Sequence, residues 1–135
     1  MFFPLPLAMP QEVQPQTEQT LAPRKTFVAG SKIYVPRVQK IADSFKHQLP
    51  SWTIVILDDK QWRSWADKNP HASITDGAFS LHDSGRTFIS QDWLSKWPDE
   101  RVKRNLAHEL GHLTTKSGKE EDADKWADAY LKANK

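Results

Sequence analysis

His108-Glu109-Leu110-Gly111-His112 sets two imidazoles four residues apart. On a helix, that spacing stacks them one turn apart on one face, where both can aim a ring nitrogen at a single point. Glu109 is offset around the helix and can reach a ligand of a metal without being a ligand itself, which is the position of a general base. Eight residues beyond His112, the run Glu120-Glu121-Asp122-Ala123-Asp124 begins. Glu120 and Asp124 again share a face, so Glu120 can supply a third metal ligand. Asp124 can accept a hydrogen bond from a ligand imidazole and fix its tautomer. Glu121 becomes the ligand instead if the second helix starts later. The helix dipole alone also favours an acidic first turn, so this cluster gains its weight from the histidines before it. Two His and one Glu with an open fourth position make a catalytic zinc pattern, and one Zn²⁺ per chain is the expected cofactor. Mg²⁺ or Ca²⁺ would need more oxygen ligands. Fe²⁺, Co²⁺ or Mn²⁺ could take the same donors.

These residues need two helices and a scaffold. The spacing predicts a helix over 99–113 with an apolar stripe of Val102, Leu106, Leu110 and Leu113, while His108, Glu109 and His112 point elsewhere. Gly111 costs about 1 kcal/mol of helix propensity and fits a place where another chain segment must come close. A last helix spans 119–133, with Ser117 and Glu120 spaced as a capping box. Upstream, 35–49 reads as an amphipathic helix and WTIVIL, residues 52–57, as a buried strand. Asp58 or Asp59 caps a short helix through Ala66. Residues 78–82 and 86–90 form a hairpin around Gly85, and Trp93, Leu94 and Trp97 suggest a helical turn. The expected fold is α+β, with a short, mostly antiparallel sheet packed on the active-site helix and a C-terminal glutamate helix.

Composition narrows the function further. The 135 residues carry 19 Lys and Arg against 17 Asp and Glu, without a basic block, so nucleic-acid binding has no evident source. The absence of cysteine excludes disulfides, thiolate metal sites and cysteine nucleophiles. No stretch approaches the roughly 20 apolar residues of a membrane span. Residues 1–27 hold five of the nine prolines and read as a flexible tail, with a single catalytic domain over 28–135. The opening MFFPLPLAMP is short, lacks a basic segment and is broken by proline, which favours a cytoplasmic location over export. The six Trp residues sit mostly at apolar positions of the expected elements and are assigned to the core.

The pattern His108-Glu109-Leu110-Gly111-His112, followed by Glu120, Ala123, Asp124, Trp126 and Ala127, resembles the gluzincin metallopeptidases. It is nearest to the minimal members, the minigluzincins, and to the ImmA/IrrE-like peptidases. The resemblance implies a zincin-like domain that hydrolyses peptide bonds. In it His108, His112 and Glu120 hold zinc, Asp124 supports a histidine, and Glu109 is the general base. It further implies that Arg86, Thr87, Phe88, Ile89 and Ser90 form the strand that pairs with a peptide or protein substrate. Tyr130, His82 and His71 are candidates, by chemistry alone, for steadying the oxyanion. Two other readings stand beside it: an amidase that keeps the metal and acts on cell-wall or small peptides, and a latent or non-catalytic zincin-fold module with a regulatory or binding role. The intact His108, Glu109 and His112 set favours an enzyme, because a pure binder has no use for Glu109.

Overall fold

A computed structural model describes residues 26–69, 77–81 and 84–135. The order is β1 (Thr26–Gly30), α1 (Val35–Ala42), β2 (Trp52–Leu57), α2 (Asp59–Lys68), β3 (Ala78–Leu81) and β4 (Arg86–Ser90). Then follow α3 (Gln91–Lys96), α4 (Asp99–Thr115) and α5 (Glu120–Ala133). The α+β class is as expected, but the sheet differs from the expectation. It is mixed, in the order β1-β2-β4-β3. β1 pairs with β2 in parallel, β2 with β4 in parallel, and only the β3–β4 hairpin is antiparallel. The crossover through α1 returns the chain to the same end of the sheet before β2, and β3, running opposite to β2, does so before β4, which makes these pairings parallel.

β1 was not foreseen. Thr26 and Phe27, assigned to the tail, are its first two residues, and only Thr26 is buried. An edge strand with one buried side chain shows no clear alternation in the sequence. Gly30 ends it at φ +110°, where a Cβ would fall 2.1 Å from the Ile56 carbonyl oxygen. α1 is also shorter than its apolar pattern. The Ser44 hydroxyl donates to the Ile41 carbonyl, and the Ser44 and Phe45 amides bond three residues back, so the helix tightens and stops. Phe45 still reaches the core from the irregular segment that follows. α2 begins as predicted: Asp58 accepts from the Gln61 amide and Gln61 returns a bond to Asp58 N–H.

β2 alternates strictly. Trp52, Ile54 and Ile56 are fully buried and join Val38 and Ala42 of α1, Ile89 of β4 and the stripe of α4 in one core. The alternate residues of the hairpin face the other way. Phe79 and Phe88 are direct cross-strand partners, and Trp65 of α2 stacks on Phe79 with ring centroids 3.4 Å apart. The sheet is thus covered by α4 and α1 on one face and by α2 on the other, and a small aromatic cluster seals the second. Among the described residues, no helix is long and apolar enough to cross a membrane.

Arg37 of α1 was not singled out by sequence, yet it sets where α4 begins. Its guanidinium donates to the carbonyls of Leu94 and Trp97 and pairs with Asp99, the first residue of α4. Hydrogen bonds from a charged donor contribute about 1.5–3 kcal/mol each at most, and the carbonyls lose a partner when it is removed. Arg37→Met should lower stability by about 1–3 kcal/mol in urea unfolding. An unchanged midpoint would show that the corner holds without it.

Candidate metal centre

α4 runs through the middle of the molecule and serves two partners at once. Val102, Leu106, Leu110 and Leu113 are buried in the core, whereas Ala107 and Gly111, also buried, lie on the side facing α5. A Cβ at Gly111 would stand 2.9 Å from the Ala123 carbonyl oxygen and 3.2 Å from Ala123 Cα. The glycine therefore allows the two backbones to approach, as its presence in a helix suggested. An ion pair between Arg104 and Asp128 fastens the same two helices further along.

This approach brings α5's first turn over the histidines. The ligand atoms of His108, His112 and Glu120 lie within 4.8 Å of one another. His108 Nε2 is 3.1 Å from Glu120 Oε2, and His112 Nε2 is 2.8 Å from Glu120 Oε1. The opposite ring nitrogens are held from behind. His108 Nδ1 is 2.7 Å from Asp124 Oδ1, and His112 Nδ1 is 2.8 Å from the Ser117 carbonyl oxygen. A carbonyl can only accept, so His112 Nδ1 carries a proton. A neutral His112 then presents the lone pair of Nε2 to a carboxylate oxygen. Two lone pairs at 2.8 Å repel, and a cation, either a proton or a metal, must lie between them. The donor set fits zinc: two imidazoles in a fixed tautomer and one carboxylate. Ligands of a tetrahedral zinc stand roughly 3.3 Å apart at bond lengths near 2.0–2.1 Å, and each Nε2 already has a Glu120 oxygen within that separation.

Glu120 is the residue that converges on the histidines. The neighbouring Glu121 faces away and pairs with Lys125 one turn along at 3.8 Å. α5 starts at Glu120 with Lys119 as its N-cap, and no capping box forms. With Lys119 at the N-cap, Ser117 lies outside the helix and donates to Asp122, and the Glu120 carboxylate is directed to the imidazoles.

The placement of Glu109 corrects the sequence reading. It does not point away from the core stripe but borders it, 6% exposed. At 100° per residue, position 109 falls about 20° from Val102 on the helical wheel, on the side away from Leu113 and Leu106, so the carboxylate flanks the apolar face. Beneath the sheet, the Ser80 hydroxyl donates to Glu109 Oε1 at 2.9 Å. Ser80 was not anticipated; its only signal was its place on a short strand opposite Thr87. The assigned substrate strand also changes. β4 is paired on both sides, to β2 and to β3, so the backbone of Arg86, Thr87, Phe88, Ile89 and Ser90 is already used. β3 ends the strand order and lies beside α4. Tyr130 stands apart from the centre: its hydroxyl accepts the Lys46 amide, and its ring stacks on Phe45 and Trp126. His71 and His82 lie outside the described residues.

The fold thus brings His108, Glu109, His112 and Glu120 together as a zincin-like metal site, consistent with a catalytic zinc centre. Comparisons with protein families, with curated proteins and with solved structures return no match.

Gly111→Ala tests whether the helix approach builds the site. The methyl gains about 1 kcal/mol of helix propensity but forces α5 outward, and overpacking costs about 1–3 kcal/mol. Zinc affinity should fall about tenfold or more, although no ligand changes, because α5 carries Glu120. Isothermal titration with zinc reads this directly, and unaltered affinity would mean that the contact at Gly111 does not position α5.

Proposed function

We propose that this chain is a zinc-dependent metallopeptidase of the gluzincin type. One observation supports this reading above the others. Two imidazoles, each tied at Nδ1, turn Nε2 toward one carboxylate, with a second, buried carboxylate beside them on the same helix. A purely structural site would need no Glu109.

His108, His112 and Glu120 would hold the metal. Bound zinc supplies a Lewis acid that polarises a carbonyl and brings the pKa of water toward about 7. Glu109 acts as the general base: its carboxylate takes a proton from the attacking water and later delivers one to the leaving nitrogen. Asp124 and the Ser117 carbonyl keep both ligand imidazoles in the tautomer that leaves Nε2 unprotonated. The centre opens to solvent at Glu120, whose side chain is 70% exposed, while those of His108 and His112 are 15% and 9% exposed. The substrate is a peptide or protein segment that adds to the outer edge of β3 by backbone hydrogen bonds. β3 takes the role first assigned to β4, since it borders the base and ends the strand order.

The test combines elemental analysis with cleavage of a peptide library. The purified protein should carry about one zinc per chain. His112→Ala and Glu120→Ala should lose most of it, and Glu121→Ala should retain it. Glu109→Gln should keep the metal and lower turnover by about 10²–10⁴-fold. Full zinc occupancy in His112→Ala would refute the ligand assignment, and near-normal hydrolysis by Glu109→Gln would refute the base.

A further inference from the structure

A buried chain of hydrogen bonds leads from the middle of the sheet to Glu109. Trp52 Nε1 is 2.8 Å from Thr87 Oγ1, Thr87 Oγ1 is 2.8 Å from Ser80 Oγ, and Ser80 Oγ is 2.9 Å from Glu109 Oε1. Trp52 and Thr87 are fully buried. Ser80 and Thr87 are direct partners across the hairpin, so their side chains emerge side by side toward α4.

The direction of every bond is fixed by its ends. An indole N–H can only donate, so Thr87 Oγ1 accepts from Trp52. An ionised carboxylate can only accept, so Ser80 must spend its one proton on Glu109. Ser80 then has nothing left to give Thr87, and Thr87 donates to Ser80. Reversing any link would set two lone pairs against each other or orphan the indole. Each hydroxyl is thereby polarised toward the carboxylate, in a setting where such bonds reinforce one another. The last of them is a bond to a charged acceptor, which is the stronger kind. A carboxylate nine-tenths buried needs such a donor to remain ionised at low cost.

From this geometry we infer that Ser80 is the positioning residue for Glu109, its hydroxyl aimed by Thr87 and ultimately by the Trp52 indole. The inference rests on the reading that Glu109 is the base. Ser80 fixes the carboxylate's orientation toward the histidines and ties it to β3. The strand that borders substrate and the group that moves the proton are therefore held in one register. Without the hydroxyl, the Glu109 side chain can still occupy its site, but it samples other orientations, and fewer of these are productive.

The experiment uses the full chain loaded with zinc. Ser80→Ala should lower kcat by about 10–100-fold, with KM and zinc content changed by no more than about twofold. Ser80→Thr, which restores a hydroxyl on a residue suited to strands, should recover kcat to within about threefold of the parent. Thr87→Val breaks the chain one link further back and should lower kcat in the same direction by a smaller factor. A second readout is independent of turnover. The Trp52 indole ¹⁵N–¹H resonance should move in Glu109→Ala, although the two residues are joined only through two hydroxyls, and the same change should leave it still in a Ser80→Ala background. Unchanged kcat in Ser80→Ala overturns the inference, as does a Trp52 resonance indifferent to residue 109. If the parent protein hydrolyses no peptide while Trp52 still reports on residue 109, the peptidase reading fails and the donor chain stands.

Discussion

The close contact between α4 and α5 at Gly111 is the constraint on which the centre depends. One missing methyl lets the Ala123 carbonyl approach the α4 backbone. Every other feature of the metal site follows from that distance. It lowers Glu120 and Asp124 onto the histidines of the preceding helix, and it brings the Ser117 carbonyl to the back of His112. The turn between the helices holds just residues 116–119, and Lys116 takes a left-handed conformation at φ 55° to make it. So short a connection leaves α5 little choice of direction, and the glycine settles how near it comes.

The same helix α4 must meet a second demand. It lies against a largely apolar sheet face that carries the polar cross-strand pair Ser80 and Thr87. That pair stands where Glu109 needs it, and Trp52 completes it from below. A buried carboxylate on a core-facing position would otherwise cost several kcal/mol. The sheet thus supplies a polar inlet in an apolar layer, and the inlet is lined by residues small enough to be overlooked in a hydropathy profile. Sheet, helix and site are bonded into one unit through side chains from β2, β3, β4 and α4.

What could be read from sequence followed the strength of local periodicity. His108 and His112 were legible because helical spacing alone converts sequence separation into shared direction, and Glu120 because it is spaced from Asp124 in the same way just beyond them and matches the gluzincin pattern. Residues 52–57 were legible from a β-branched, nearly continuous apolar run, 86–90 from the turn chemistry around Gly85, and α4 from its strict stripe. β1 was not, since an edge strand with one buried residue carries almost no pattern, and the direction of pairing was not, since it depends on crossovers rather than on the strands themselves. The reading of Glu109 failed for a different reason. Its chemistry drew attention to the metal and away from its angular position, which borders the apolar stripe about 20° from Val102. Ser80, Thr87 and Arg37 were invisible because their roles arise from contacts between distant parts of the chain: Ser80 to Glu109 spans 29 residues and Arg37 to Trp97 spans 60.

The strand order also divides the molecule by the length of chain each contact must close. β3 and β4 are joined by a turn, and α4 and α5 by four residues, so the half that carries the metal ligands is assembled from neighbours in sequence. β1 and β2 pair only after α1 has crossed between them, and β2 reaches β4 only across α2 and the hairpin. The entropy of closing a loop rises with its length, and parallel pairings are slow to form for that reason. The helical pair and hairpin are therefore the natural nucleus, and the N-terminal β1–α1–β2 unit is a layer added to it. Hydrogen exchange during refolding would register this as early protection in α4 and β4 and late protection in β1. In that order of events the histidines and Glu120 meet while Trp52 is still outside the core. A metal ion can then be captured by a chain whose Ser80–Thr87 pair has yet to receive the Trp52 indole.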